Sequence, residues 1–158
     1  MKRLIYCALV ALTLTSCNHQ SSATEARWPS VIVVDSSGTD INSGDLLTGN
    51  TIVVGLWSTW CVPCRRELPQ LQEFAAKHQN VSVVAVNLGD KLDSVAAYAD
   101  EIGLTMPVVI DSEGRISSAL GVTSVPSTIV IDSHGKVIAT HVGESTADEL
   151  AVLVETSS

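Results

Sequence analysis

The sequence is poor in cysteine, in aromatic residues and in basic residues. Among its 158 residues are four cysteines, six aromatic side chains, and nine Lys and Arg against seventeen Asp and Glu. The resulting net charge of −8 disfavours a surface for nucleic acid or for anionic lipid. What is present is apolar: 46% hydrophobic residues argue against disorder, and the length is enough for one domain with its own core.

The N-terminus has the layout of a secretory signal. Lys2 and Arg3 form a short basic start, and the apolar residues 4–14 that follow are too few for a membrane-spanning helix, which needs about 20. The next residues, Leu-Thr-Ser-Cys ending at Cys17, resemble a bacterial lipobox, in which this cysteine is lipidated and becomes the mature N-terminus. An ordinary cleavage site or an uncleaved anchor are the alternatives. All three place the domain outside the cytoplasm.

Cleavage before Cys17 divides the chain into three parts. We predict a lipoprotein signal peptide over residues 1–16, a flexible, polar tether over 17–29, and one domain over 30–158. The mature chain then keeps seven basic and seventeen acidic residues, a net charge of −10. Contact with the membrane is therefore expected to come from the acyl chains.

Only two of the four cysteines then remain for chemistry. Cys7 is lost with the signal peptide and Cys17 is blocked by lipid, which leaves Cys61 and Cys64. One close pair does not staple a scaffold, because structural disulfides gain most from closing long loops. The pair is expected to serve thiol-disulfide exchange.

The pair lies where a predicted buried strand passes into a predicted helix. Residues 51–56 are β-branched and apolar, and apolar residues recur at helical spacing over 62–78, with Pro63 tolerated in the first turn. A helix N-terminus favours negative charge, so the pKa of the Cys61 thiol should fall below its free value of about 8.5. We predict Cys61 as the nucleophile and Cys64 as the resolving thiol.

The rest of the chain predicts a mixed α/β order. We expect strands over 30–34, 39–41, 81–87 and 106–110, a helical turn over 43–47, helices over 92–102 and 115–120, a hairpin of 128–131 with 136–141, and a last helix over 145–155. Asp90 or Asp93 lies near the start of the second helix, and Gly103 ends it. Ser145 is expected to cap the last helix, with Asp148 as the acid of a capping box.

The run Trp-Ser-Thr-Trp-Cys-Val-Pro-Cys over 57–64 resembles the active site of thioredoxin-like proteins. The closest pattern is that of the TlpA/ResA-type membrane-anchored thiol-disulfide oxidoreductases. Further matches, spread over about residues 30–156, are Arg65, Glu67, Pro69, the dipeptide Val125-Pro126 and the strand-turn-strand of 128–138. The resemblance implies an α/β fold, a thioredoxin-like three-layer sandwich with a mixed central sheet and extra N-terminal strands.

The resemblance also implies roles for single residues. Pro126 is expected in the cis form opposite the cysteine pair, with the backbone of Val125 binding an extended substrate segment and Trp60 walling the pair. In ResA-like proteins the acid at the position of Glu67 is implicated in tuning thiol chemistry; the alternative is a solvated helix acid paired with a neighbouring arginine. Thioredoxin has a buried aspartate six residues before its first cysteine. This chain has Gly55 there, so that proton route is absent.

The predicted function is extracytoplasmic thiol-disulfide exchange, with net reduction of substrate disulfides by a lipid-anchored protein facing the periplasm or cell envelope. The resemblance implies apocytochrome c, in cytochrome c maturation, or another exported thiol protein as substrate, and a membrane thiol donor of electrons. No cofactor is expected beyond the redox-active Cys61–Cys64 disulfide. A disulfide-introducing oxidase is the first alternative, because Val62 and Pro63 between the cysteines do not fix a reduction potential.

A copper-binding chaperone resembling Sco proteins is the second alternative. In those proteins two thiols and a histidine bind the metal, and this chain has His19, His78, His134 and His141. The Sco-type pattern has three residues between its cysteines, whereas this chain has two. His134 also falls in a predicted hairpin turn, where turn chemistry explains it. We therefore predict no metal site.

Overall fold

The structure, a computed structural model, describes residues 25–157. The predicted signal peptide, the predicted lipidation site Cys17, and His19 lie outside this range. The described residues form, in chain order, β1 Ile32–Asp35, β2 Asp40–Asn42, a 3-10 turn Ser43–Leu46, β3 Thr51–Trp57, α1 Val62–Lys77, β4 Val81–Asn87, α2 Leu92–Ile102, β5 Val108–Ile110, α3 Arg115–Leu120, β6 Ser127–Ile131, β7 Val137–Val142 and α4 Ala147–Ser157. Every element predicted from the sequence is present, with bounds shifted by a few residues at most.

The strands make one mixed sheet in the order β2-β1-β5-β4-β3-β6-β7. β4 is parallel to both of its neighbours, β3 and β5, and the remaining pairs are antiparallel. Helices α1, α2 and α4 pack on one face of the sheet, and α3 packs on the other. The predicted three-layer sandwich with extra N-terminal strands is confirmed.

Strand β3 shows why the sheet has a core on both faces. Val53 and Trp57 pack with α1, α2 and α4, while Ile52, Val54 and Leu56 pack on the side of α3. Successive side chains of a strand point to opposite faces, so a strand covered by helices on both sides must be apolar throughout. The sequence showed this as an uninterrupted apolar run.

The described chain begins against the outer edge of β7. Val137 donates its N–H to the carbonyl of Ala26 at 3.0 Å, and Trp28 donates its backbone N–H to Gly135 at 2.7 Å. The indole of Trp28 is buried and donates to the carbonyl of Ser43 at 2.7 Å. Residues 26–28, predicted as tether, therefore pair with the hairpin end of the sheet.

The predicted N-cap of the last helix is wrong by one residue. The capping box joins Thr146 and Glu149: the N–H of Thr146 donates to the Glu149 carboxylate at 2.8 Å, and the N–H of Glu149 returns to the Thr146 hydroxyl at 3.3 Å. Ser145 does not cap because it is buried and its N–H donates to Glu67 at 3.0 Å. Asp148, accordingly, is not the acid of the box.

No helix within residues 25–157 combines the length and the apolar character that crossing a membrane requires.

Candidate active site

Cys61 and Cys64 form a disulfide at the point where β3 leads into α1, with their Cα atoms 5.3 Å apart. Cys61 is the N-cap of the helix, and its sulfur accepts the N–H of Cys64 at 3.2 Å. Pro63 occupies the first turn, as predicted. Cys61 is 4% exposed and Cys64 is fully buried, so only the first sulfur borders the solvent. At a helix N-terminus its thiolate is favoured after reduction.

The two residues next to Cys61 in the chain are large, apolar and exposed. Trp60 is 72% exposed and Val62 is 62% exposed, on either side of Cys61 in the chain. Exposed side chains of this size beside a nearly buried reactive group are available to a binding partner. Trp60 is therefore exposed next to Cys61, and its role as a wall of the pair stays a prediction.

The Val125-Pro126 peptide is cis, which confirms the prediction. Leu56 pairs with Ser127 across β3 and β6, so the Pro126 loop lies beside the loop that follows Trp57. The carbonyl of Pro126 accepts the N–H of Gly143 at 3.0 Å, which joins the residue after β7 to the Pro126 loop. The two predicted binding residues, 125 and 126, thus lie beside the loop that leads to the cysteine pair.

Glu67 is buried, so the alternative interpretation as a solvated helix acid is wrong. Its side chain accepts the N–H of Ser145 at 3.0 Å and the hydroxyl of Thr128 at 3.3 Å. Burial raises the pKa of Glu67 to about 7, and the two hydrogen bonds oppose this rise. Glu67 lies one helical turn after Cys64, so the two residues are neighbours on the surface of α1.

The arginines that flank this acid in the chain are engaged elsewhere. Arg66 donates from Nε to the Glu144 carboxylate at 3.0 Å. The guanidinium of Arg65 lies 4.5 Å from the centre of the Tyr98 ring and 3.8 Å from Glu101. Neither side chain is paired with Glu67.

Gly55 explains why the acid comes from the helix. A Cβ at this position would lie 2.3 Å from Cδ1 of Leu71, so that α1 packs directly on the strand backbone. An aspartate at this point of the strand, as in thioredoxin, has no room. Gly55 pairs with Thr128 on β6, and Thr128 donates to Glu67. The buried carboxyl therefore lies beside the same stretch of sheet but is supplied by α1.

Two of the histidines, His78 and His134, lie away from the cysteines. His134 lies in the β6–β7 turn, at the end of β6 opposite Pro126, and donates its N–H to Asp132 at 2.9 Å. His78 stacks on Phe74 at the C-terminal end of α1, with ring centres 4.4 Å apart. In the part of the chain that the structure describes, no group of three or more His, Cys, Asp or Glu is arranged to hold a metal ion.

The sequence prediction missed two residues near the site. Val142, 65% exposed, ends β7 opposite Ser127 and beside the Pro126 loop. Asp90 was expected only near the start of α2, but its carboxylate accepts the N–H of Thr59 at 2.6 Å, just ahead of the cysteines. No local pattern indicates either, because both depend on which strands are neighbours in the sheet.

The sequence model of the Redoxin family matches residues 22–155. The chain belongs to the redoxin family. Thiol-disulfide oxidoreductase ResA of Geobacillus thermodenitrificans is 34% identical over 124 residues, which cover 77% of this chain and 71% of the relative. ResA of Bacillus thuringiensis subsp. konkukian is 32% identical over 152 residues, covering 93% and 87%.

A solved structure agrees with these relatives. The thiol:disulfide interchange protein of the thioredoxin family from Chlorobium tepidum TLS superposes with a TM-score of 0.72 at 25% identity, over 87% of this chain and 99% of the other. Together with the Cys61–Cys64 disulfide, these similarities make this redoxin a thiol-disulfide oxidoreductase of the ResA type. The TlpA/ResA-type resemblance of the sequence is confirmed.

Proposed function

We propose that this oxidoreductase works outside the cytoplasm and reduces disulfides in protein substrates. The direction rests on one observation: Glu67, one helical turn after Cys64 on α1, is a buried acid, while the neighbouring arginines are paired with other groups. A strongly oxidising pair is one whose reduced form is stabilised. A nearby carboxyl group without a free cation stabilises a thiolate poorly, which favours a reducing pair.

In the proposed reaction the reduced pair starts the cycle. The Cys61 thiolate attacks one sulfur of the substrate disulfide, forms a mixed disulfide and releases the other substrate sulfur as a thiolate. Cys64 then gives its proton to the Glu67 carboxylate and attacks the Cys61 sulfur. The Cys61–Cys64 disulfide forms, the second substrate sulfur leaves, and two electrons have passed to the substrate. A thiol donor returns two electrons to the pair.

Trp60, Val125 and Pro126 are the proposed substrate-binding residues. The exposed Trp60 precedes Cys61 in the chain, and the cis-proline loop lies beside the loop that follows Trp57. An extended substrate segment pairing with the backbone at Val125 places its disulfide over the Cys61 sulfur. Their placement near Cys61, the less buried of the two cysteines, supports this assignment.

The location and partners follow from the sequence and the relatives. The basic start, the apolar residues 4–14 and the lipobox-like Cys17 support export and lipid anchoring. We propose apocytochrome c or another exported thiol protein as substrate and a membrane thiol protein as electron donor. The relatives, named thiol-disulfide oxidoreductase ResA, support a thiol protein as the class of substrate.

The equilibrium reduction potential of the Cys61–Cys64 pair tests the direction. It is measured by equilibration with dithiothreitol or glutathione buffers and quantification of the free thiols. A reductase is expected near or below the thioredoxin value of about −270 mV. A value near that of a strong oxidant, about −120 mV, would replace the reductase by a disulfide-introducing oxidase.

A further inference from the structure

The loop from Ser58 to Cys61 depends for its position on a carboxylate outside it. Within the loop, Cys61 donates its N–H to the carbonyl of Ser58 at 3.1 Å. Thr59 donates its N–H to Oδ2 of Asp90 at 2.6 Å, across 31 positions of the chain. Trp60 lies between these two bonds and is 72% exposed. The backbone that presents Trp60 and Cys61 is therefore tied to the segment that follows β4.

Asp90 is itself held on a rigid base. The Oδ2 atom that binds Thr59 also accepts from Nδ2 of Asn87 at 2.8 Å, and the Asp90 N–H donates to Oδ1 of Asn87 at 2.9 Å. Asn87 is fully buried at the end of β4. Leu88 donates its N–H to the carbonyl of Trp57 at 2.9 Å, so β3 and β4 stay joined up to the base of the loop. The three polar groups of 87, 90 and 59 form one connected chain of hydrogen bonds.

Two simpler roles for Asp90 do not fit its contacts. A helix cap would direct the carboxylate to the amides of α2, but the N-cap of α2 is Lys91, which makes no side-chain cap bond. An ion pair would bring a cation to it, yet the five ion pairs found in residues 25–157 all involve other carboxylates. Its oxygen is instead shared between a buried amide side chain and the reactive loop.

We propose that Asp90 is a positioning residue for the reactive loop. Through the Thr59 amide it holds Trp60 and Cys61 in the conformation in which the Cys61 sulfur attacks a substrate disulfide. This deepens the proposed function and rests on Cys61 being the attacking thiol. Thiol-disulfide exchange depends on access to the attacking sulfur and on its alignment, and a loop without this tie has more conformations to lose before it reacts.

Three variants of the full chain separate three possible effects of Asp90: its hydrogen bond to the loop, its negative charge, and its contribution to the stability of the protein. Asp90→Ala removes the acceptor, whereas Asp90→Asn keeps an oxygen for the Thr59 amide and removes the charge. The matched control is Asp132→Ala, because Oδ1 of Asp132 accepts the amides of His134 and Lys136 at 2.9 Å each in the turn at the far end of β6. Each reduced protein is reacted with a small aromatic disulfide and with iodoacetamide, and the alkylated cysteine is identified by mass spectrometry.

Asp90→Ala is expected to slow the attack about tenfold, the size of one lost hydrogen bond to a charged group. Asp90→Asn should return the rate to within about twofold of wild type, and Asp132→Ala should keep the wild-type rate even if it melts earlier. Iodide quenching of fluorescence reports on Trp60, since the other two tryptophans, Trp28 and Trp57, are 6% and 1% exposed. The quenching constant should change in Asp90→Ala and return in Asp90→Asn.

A wild-type rate and wild-type quenching in Asp90→Ala would overturn the proposal. So would an Asp90→Asn variant as slow as Asp90→Ala, because the carboxylate would then act through its charge. Alkylation of Cys64 in the wild-type protein is a different result. It would overturn the assignment of Cys61 as nucleophile, while the quenching data would still show whether Asp90 holds the loop.

Discussion

Glu67 couples stability to pH at the scale of a single residue. Burial raises its pKa to about 7 from 4.5, so the folded protein binds a proton that the unfolded chain releases in this interval. The contribution of this proton to the free energy of unfolding is about 3 kcal/mol. It is fully present below about pH 4.5 and is lost as the pH rises through 7. We expect Glu67→Gln to remove this loss. The free energy of unfolding of the variant, measured by urea titration, should therefore rise relative to that of wild type from pH 5 to pH 8.

The control for this prediction is Glu144→Gln. Glu144 is a neighbouring acid whose carboxylate binds Arg66 at the surface instead of lying in the core. Its stability curve should keep the wild-type fall between pH 5 and pH 8. Parallel curves for wild type and Glu67→Gln would show that Glu67 is ionised in the folded protein throughout this range.

The two cysteines are expected to differ in what they trap. Cys64→Ala should accumulate mixed disulfides through Cys61, because the resolving thiol is missing and the attacking sulfur borders the solvent. Cys61→Ala should trap none, since Cys64 is fully buried. Non-reducing gels after incubation with a disulfide-containing protein, followed by mass spectrometry, measure both. The reverse pattern would exchange the two roles.

At the scale of elements, the contact of α1 with β3 depends on Gly55. Because an added Cβ would lie 2.3 Å from Leu71, Gly55→Ala is expected to cost about 1–3 kcal/mol of unfolding free energy by overpacking. Leu71→Ala empties the same space, so the double variant should be more stable than the sum of the single losses by about 1 kcal/mol. Denaturant titrations of the four proteins give this coupling.

The matched control for this cycle is Phe74→Leu. Phe74 is fully buried on the next turn of α1, but it is not among the three atoms nearest to the added Cβ, which all belong to Leu71. Its loss should add to that of Gly55→Ala within about 0.5 kcal/mol. Additivity in the Leu71 cycle as well would mean that the Leu71 side chain is not the source of the cost of the added Cβ.

Residues 26–28, where the described chain begins, and the reactive pair lie at opposite ends of the sheet. Residues 26–28 pair with the start of β7 near the β6–β7 turn, whereas Cys61 lies beside the Pro126 loop, at the other end of β6. We expect that a folded carrier domain fused ahead of Glu25, in place of residues 1–24, leaves the rate of disulfide reduction within about twofold.

This whole-molecule prediction is checked by an insulin reduction assay before and after a protease removes the carrier at a site in the linker. The cleaved protein is the matched control. A rate that rises several-fold on cleavage, with an unchanged melting temperature, would show that the carrier reaches the active site.

The sequence by itself determined the order of elements, the sheet with a core on both faces and the position of the cysteine pair at a helix N-terminus. These features follow from local patterns: the apolar run before Cys61, the helical spacing after Cys64, and glycine stops such as Gly103, whose φ of 64° ends α2. The cis form of Pro126 also came from the sequence, through the family resemblance of the Val-Pro dipeptide.

Only the tertiary structure decided which polar groups surround the pair. Glu67 meets Ser145 and Thr128 across 78 and 61 positions of the chain, and Asp90 meets Thr59 across 31. The same contacts explain why α4 is capped by Thr146 and not by Ser145. The buried Ser145 amide is bound to Glu67, so it is not available to the predicted capping box with Asp148. Helix and strand periods specify which face of an element is buried. The partner of a buried polar group depends on the order and register of the strands, which no local pattern contains.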